Sequence, residues 1–133
     1  MDQQHTDMDI GGGKKVLCVD DDPTVLAVVK KILSRIGFKV ITARNGQEGL
    51  AQVKKHDPQV IIADVLMPVM DGFVFFEKIK ENKSTQHKPV LILTARQNLE
   101  DSFMKSGADG FLIKPIDSQV LINTVIELSK RSG

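Results

Sequence analysis

The sequence has a single cysteine, almost no imbalance of charge, and no apolar run longer than a strand. The lone thiol, Cys18, lies inside Val16-Leu17-Cys18-Val19, so it reads as a small buried hydrophobe, with no partner for an intrachain disulfide and no catalytic role. With Lys+Arg 18 against Asp+Glu 17 the net charge is +1, which gives no footing for electrostatic capture of nucleic acid or an anionic membrane surface. A spanning helix needs about 20 apolar residues, far more than any run present. No signal peptide opens the chain, and a cytoplasmic location is the expectation. Internal repeats and interdomain linkers are also absent. The 133 residues, 41% apolar and 26% charged, suit one globular domain, which at this size buries about two-thirds of its unfolded surface.

Met1 to Gly13 is polar, without apolar periodicity, and carries Gly11-Gly12-Gly13; residues 1–13 are expected to be a flexible tail preceding a folded unit 14–133. Beyond it strands and helices alternate. Val16–Val19, Val60–Ala63, Val90–Leu93 and Phe111–Ile113 are short apolar runs that suit strands buried between two layers of helices. Phe38–Thr42 is more polar and reads as an edge strand. Asp22-Pro23 opens a helix with Val25, Val28, Val29, Ile32, Leu33 and Ile36 at helical spacing, stopped by Gly37. Asn45 and Glu48 form a capping-box pattern opening a helix that ends near His56. Asp71 caps a third helix with an apolar stripe of Phe73, Val74, Phe76 and Ile79. Leu99, Phe103 and Met104 mark a short fourth, ended by Gly107. Asp117 opens a fifth with Leu121, Ile122, Val125 and Leu128 inward. Five alternations predict a doubly wound five-stranded parallel α/β sheet with right-handed crossovers.

In such a sheet every strand's carboxyl end lies on one edge. The first run ends in Asp20-Asp21, the third in Asp64, the fourth in Thr94 and the fifth in Lys114. Three carboxylates, a hydroxyl and an ammonium therefore converge.

Taken in order, the pair Asp20-Asp21, the motif Asp64-x-x-Met67-Pro68-x-Met70-Asp71-Gly72, the pair Thr94-Ala95 and the pair Lys114-Pro115 resemble the receiver domain of two-component response regulators. The likeness is to the single-domain, chemotaxis-regulator type and runs from about Lys14 to the C-terminus. It implies a flavodoxin-like strand order 2-1-3-4-5, with the site at the switch point between the first and third strands. It also implies that Asp64 accepts a phosphoryl group from a phosphohistidine, forming an acyl phosphate. The acids form a hard oxygen site suited to magnesium. By the resemblance Asp21 contacts the metal directly, Asp20 acts largely through water, and Asp64 and the Leu66 carbonyl complete the set. Lys114 would pair with one phosphoryl oxygen, and the Thr94 hydroxyl and Ala95 N–H with others. Thr94 and Phe111 are the implied switch pair, reshaping the face formed by the fourth helix, fifth strand and fifth helix. Implied partners are a sensor histidine kinase or histidine phosphotransfer protein, a downstream protein target, and a second copy in a phosphorylation-dependent dimer, without direct contact to nucleic acid or membrane. The chain would not be a turnover enzyme; it would promote its own phosphorylation and slow dephosphorylation. A cis Lys114-Pro115 bond is also expected.

Many relatives place polar residues two positions after the phosphorylated aspartate and the threonine, where they position hydrolytic water. Here Leu66 and Arg96 occupy those positions, and slow loss of the phosphoryl group is the expectation. Two rival readings remain at this point. Asp20-x-Asp22-x-Thr24 also resembles the first motif of haloacid-dehalogenase-type phosphatases, which would put the nucleophile on Asp20. A receiver-like interaction module that dispenses with phosphorylation is the other. Asp22 reads as a helix cap, Met67 and Met70 as packing residues, and His5, His56 and His87 as surface histidines.

Overall fold

The computed structural model describes residues 10–131. The chain runs β1 (Lys15–Val19), α1 (Pro23–Ser34), β2 (Lys39–Ala43), α2 (Gly46–His56), β3 (Val60–Ala63), α3 (Gly72–Glu81), β4 (Val90–Thr94), a 3-10 turn (Gln97–Leu99), α4 (Glu100–Lys105), β5 (Gly110–Ile113) and α5 (Ser118–Arg131). All pairings are parallel, and the sheet order is β2-β1-β3-β4-β5. The three central strands are buried on both faces along nearly their whole length, which is why their sequences are unbroken aliphatic runs. The edge strands β2 and β5 are only partly covered.

One face of the sheet is covered by α2, α3 and α4 through Val53, Phe75, Phe76, Ile79 and Phe103. The other is covered by α1 and α5 through Leu26, Val29, Leu33, Leu121, Val125 and Leu128. Two helices differ from the stripes expected of them. In α1, Leu26 is buried while Val28 points outward. In α3, Phe75 is fully buried, whereas Phe73 and Val74 are 41% and 39% exposed. Four consecutive apolar residues, Phe73 to Phe76, allow two helical stripes, and packing on the sheet selects the one through Phe75, Phe76 and Ile79. The six-residue α4 is too short to define a stripe, and of its pair Phe103 and Met104 only Phe103 is buried.

The helix starts follow from side-chain caps, each worth about 1 kcal/mol. Carboxylate or amide oxygens of Asp22, Asn45, Asp71 and Asp117 accept from the backbone N–H groups of Thr24, Glu48, Val74 and Val120 at 2.9–3.1 Å. The reciprocal arm of the Asn45 box is displaced by one residue: Glu48 accepts from the Arg44 N–H.

Residues 10–13, expected within the flexible tail, form a turn against the end of α1. The Gly11 N–H donates to the Ile36 carbonyl at 2.6 Å and the Gly13 N–H to that of Gly37 at 2.8 Å. Gly11 is buried, and a Cβ there would meet the Phe38 backbone nitrogen at 2.4 Å. Composition alone reads such glycines as loose chain, yet the same lack of side chains permits this close approach. The rest of the expected tail, residues 1–9, lies outside the described residues. At this amino edge of the sheet the buried Lys88 ammonium donates to the Asp57 carboxylate and the Pro58 carbonyl.

Candidate functional site

Strand register builds the site. Val19 lies beside Ala63, and Thr94 beside Ile113, so Asp20, Asp64 and Lys114 leave the sheet along the same edge. Their backbones stay tied to it: the N–H of Asp20 donates to Ala43, that of Asp64 to Val19, and that of Lys114 to Thr94, at 2.9–3.0 Å. The Lys114 ammonium reaches back over the edge and donates to Asp20 Oδ2 at 2.8 Å and Asp64 Oδ2 at 3.0 Å. One oxygen from each of Asp20, Asp21 and Asp64 lies within 4.8 Å of the others. Asp20 and Asp64 are buried and Asp21 is exposed, so the acid cluster opens to solvent on the Asp21 side.

The remaining carboxylate oxygens are held by backbone. Asp20 Oδ1 accepts from the Asp22 N–H at 2.9 Å, and Asp64 Oδ1 from the Val65 N–H at 2.7 Å. Burial pushes the Asp20 carboxyl above its ordinary range, with the Lys114 hydrogen bond opposing and the nearby Asp64 charge adding to the rise. For Lys114 burial acts downward, but the hydrogen bonds to Asp20 and Asp64 outweigh it and hold the ammonium above its usual value. Cys18, two residues before Asp20, is buried and pushed strongly upward by that burial. It stays a neutral thiol, in keeping with its reading as a packing residue.

The segment after Asp64 is shaped by backbone contacts. The Gly72 N–H donates to the Val65 carbonyl at 2.7 Å. A Cβ on Gly72 would lie 2.2 Å from the Asp64 carbonyl oxygen, so only glycine lets α3 start this close to the acid. Val69 takes a left-handed conformation (φ 68°), unfavourable for a β-branched residue. Met70 accepts from the Gly46 N–H at 3.0 Å, tying the loop to the start of α2. Met67 is buried and Met70 packs against the core, as expected. The Lys114-Pro115 bond is cis.

The other expected site residues stand around this cluster. Thr94 is buried, and its hydroxyl accepts from the Arg96 N–H at 3.3 Å. Ala95 and Leu66 are exposed at the mouth. Phe111 is set back, half-buried, its ring 6.4 Å from that of Phe103. Asp22 caps α1 and stays outside the acid trio. Sequence reading had not anticipated that Lys114 bridges Asp20 and Asp64, that Val65 donates to Asp64, or that Val69 is left-handed. Only the Asp71-Gly72 pair signalled the tight approach at Gly72.

Asp20, Asp21 and Asp64 meet at one edge of the sheet, where the motifs lie, and comparison with known proteins identifies the family. The family profile of the response regulator receiver domain matches residues 16–126. The chain belongs to that family. This receiver is similar to protein PilH of Pseudomonas aeruginosa, 31% identical over 113 residues that cover 84% of this chain and 93% of PilH. Among solved structures it is similar to the chemotaxis response regulator CheY4 of Vibrio cholerae, with a TM-score of 0.80, 36% identity, and coverage of 86% and 98%. It is also similar to response regulator TrrA of Thermotoga maritima, solved in complex with Mg(2+)-BeF: TM-score 0.79, 27% identity, 86% and 98% covered. The chain spans 48% of the length of one larger curated relative, a transcriptional regulatory protein, and 26% of another. Receiver domains are signalling elements of two-component systems, and the phosphatase reading finds no support. Pro23 opens α1 directly after the Asp22 cap, which leaves no insertion between the first strand and helix to close over a substrate.

Proposed function

We propose that this receiver takes a phosphoryl group on Asp64 from the phosphohistidine of a sensor kinase or phosphotransfer protein, and passes the signal to a protein target. The observation that carries the reading is the Lys114 ammonium bonded to both Asp64 and Asp20, with an Asp21 oxygen in the same cluster. A buried carboxylate is thereby held beside a cation that can follow charge onto a phosphoryl oxygen.

The donor set suits magnesium, which favours a few carboxylates and retains water. Asp20, Asp21 and Asp64, with the Leu66 carbonyl, would hold it, and when bound it neutralises charge that otherwise repels a phosphoryl group. The chain's own residues do the rest. The Val65 N–H fixes one Asp64 oxygen, leaving the other, now on Lys114, to form the new P–O bond. The P–N bond to the donor imidazole breaks, and its electron pair leaves with the ring nitrogen. Lys114, the Thr94 hydroxyl and the Ala95 N–H then meet the phosphoryl oxygens and stabilise their charge.

The same contacts supply a switch. Moving a two-state equilibrium from 1:99 to 99:1 requires about 5.5 kcal/mol, and charge-assisted hydrogen bonds contribute about 1.5–3 kcal/mol each. Thr94 and Lys114 together reach that range. Withdrawal of the Thr94 hydroxyl from Arg96 makes room for the Phe111 ring, and the face of α4, β5 and α5 changes with it. The chain acts in the cytoplasm as a switch, not as a turnover enzyme.

Incubation with a small acyl phosphate and magnesium, followed by phosphate-affinity electrophoresis and peptide mapping, tests this. Label on Asp64, lost in Asp64→Asn and on removal of magnesium, is expected. Label on Asp20, or normal uptake by Asp64→Asn, overturns it.

A further inference from the structure

We propose that the groove between α3 and α4 docks a basic amphipathic helical segment of a partner protein, and that its occupancy is linked to the state of Asp64 through Phe103 and Phe111. The docking half stands apart from the phosphoacceptor assignment; the linkage half rests on it.

The groove has a volume of about 450 Å³. Phe103 and Phe76 lie at its base, 2% and 4% exposed, while Phe73 stands at its rim, 41% exposed. The Phe73 ring stacks on Phe103 at 4.7 Å, and Phe76 meets Phe103 edge-on at 5.5 Å. The α3 helix thus spends one of its aromatic residues outside the sheet core, on a concave apolar surface. Such surfaces accept the apolar side chains of an incoming helix.

Charge selects the occupant. Glu77 and Glu81 line the groove one turn apart on α3, both exposed and without an ion pair among the described residues. Like charges at this spacing destabilise a helix. The lining's cation, Lys80, is already engaged: it lies 3.5 Å from Asp109, donates to the carbonyls of Gln86 and Lys88, and sits 5.8 Å over the Phe76 ring. The uncompensated charge of the groove is therefore the two carboxylates. A segment carrying Lys or Arg beside its apolar anchors relieves their repulsion, and an acidic one adds to it.

The linkage follows from Phe103. Its ring is shared between the groove and Phe111, 6.4 Å away. A repositioned Phe111 must change the support under Phe103, and a bound anchor must in turn bias Phe111, because coupling between sites is reciprocal.

The probe is a helical peptide of about 15 residues, a length at which helices become marginally stable in water, with Leu and Phe on one face and Lys on the other. A second peptide replaces every Lys by Glu. Titration followed by amide chemical shifts is expected to map the Lys peptide onto α3 and α4, with affinity falling as salt rises. The doubly reversed variant Glu77→Lys/Glu81→Lys, checked for intact fold by circular dichroism, should lose affinity at least tenfold. Its phosphate uptake should stay normal. Equal binding of the Glu peptide, shifts that map elsewhere, unchanged affinity of the reversed variant, or occupation of the groove by a second copy of this chain overturns the docking site. With magnesium and beryllofluoride the affinity should change several-fold in the wild type and less in Phe111→Leu. An unchanged affinity in a protein that does take label on Asp64 overturns the linkage alone. Absence of label sinks the phosphoacceptor reading and leaves the docking result to stand or fall separately.

Discussion

Lys114 and Asp64 are joined by a 3.0 Å hydrogen bond although their strands, β5 and β3, are separated by β4. The same ammonium holds Asp20 from β1's end at 2.8 Å, so one side chain from the edge strand gathers the acids that the neighbouring strands β1 and β3 deliver. The lysine is only 19% exposed and its partners less, so solvent screening is weak here and removal of the cation leaves buried charge behind.

Lys114→Met should therefore destabilise the metal-free protein by about 3–5 kcal/mol, the usual cost of stripping one partner from a buried ion pair. Calorimetry with and without magnesium checks this, and magnesium should restore more stability to the variant than to the wild type. Phosphate uptake should slow about 10- to 100-fold, the loss of one charge-assisted hydrogen bond. A variant as stable and as fast as wild type would remove Lys114 from the account.

Asp20 carries a sign that can be worked out. Its folded-state value lies above 3.8 because burial disfavours the charge, so its contribution to stability is present below that pH and lost as pH rises through the raised value. At pH 7 the charged carboxylate thus costs stability, and Asp20→Asn should raise the metal-free melting temperature. The gain should shrink as pH falls below the raised value, while magnesium affinity drops at neutral pH. Melting curves from pH 3 to pH 7 check the sign.

Asp57 shows the opposite behaviour. Its hydrogen bond from Lys88, and the Lys88 charge, hold it below 3.8, so the pair contributes above that pH and the contribution is lost as pH falls through the lowered value. Asp57→Asn keeps a residue tolerant of the left-handed cap (φ 51°) while removing the charge. The variant should be less stable than wild type at pH 7, and the two should converge as pH falls below the lowered value. Asp57 is largely exposed, so the difference at pH 7 is small.

Gly72→Ala should destabilise by more than about 1–3 kcal/mol, because the added Cβ meets backbone atoms at 2.2 Å and 2.7 Å that cannot swing aside. The chain has no Trp or Tyr, so circular dichroism is the suitable readout of its unfolding. An alanine variant with a native melting temperature would show that the loop before α3 has slack.

Leu66 is 57% exposed beside the phosphoacceptor and has no hydrogen-bonding group to orient water. Leu66→Asn should shorten the life of the phosphorylated form by several-fold to about 10²-fold, read as decay on phosphate-affinity gels after donor removal. An unchanged decay would place the control of hydrolysis elsewhere, with Arg96 the next residue to vary.

The alternation of strand and helix, the caps at Asp22, Asn45, Asp71 and Asp117, and the delivery of Asp20, Asp64, Thr94 and Lys114 to one edge were legible in the sequence. These features rest on short-range rules: side-chain period, a cap's reach to the next turn, and the common direction of parallel strands. Which stripe of Phe73 to Phe76 faces the sheet was not legible, because a continuous apolar run satisfies two helical registers equally well. The bridge from Lys114 to both acids, the burial of Gly11 against Phe38, and the left-handed turn at Val69 join or bend segments in ways no local pattern encodes. Sequence thus determined which groups arrive at the edge; only tertiary packing decided which of them touch, because contact depends on strand order and on distances of a few ångströms between residues up to 94 positions apart.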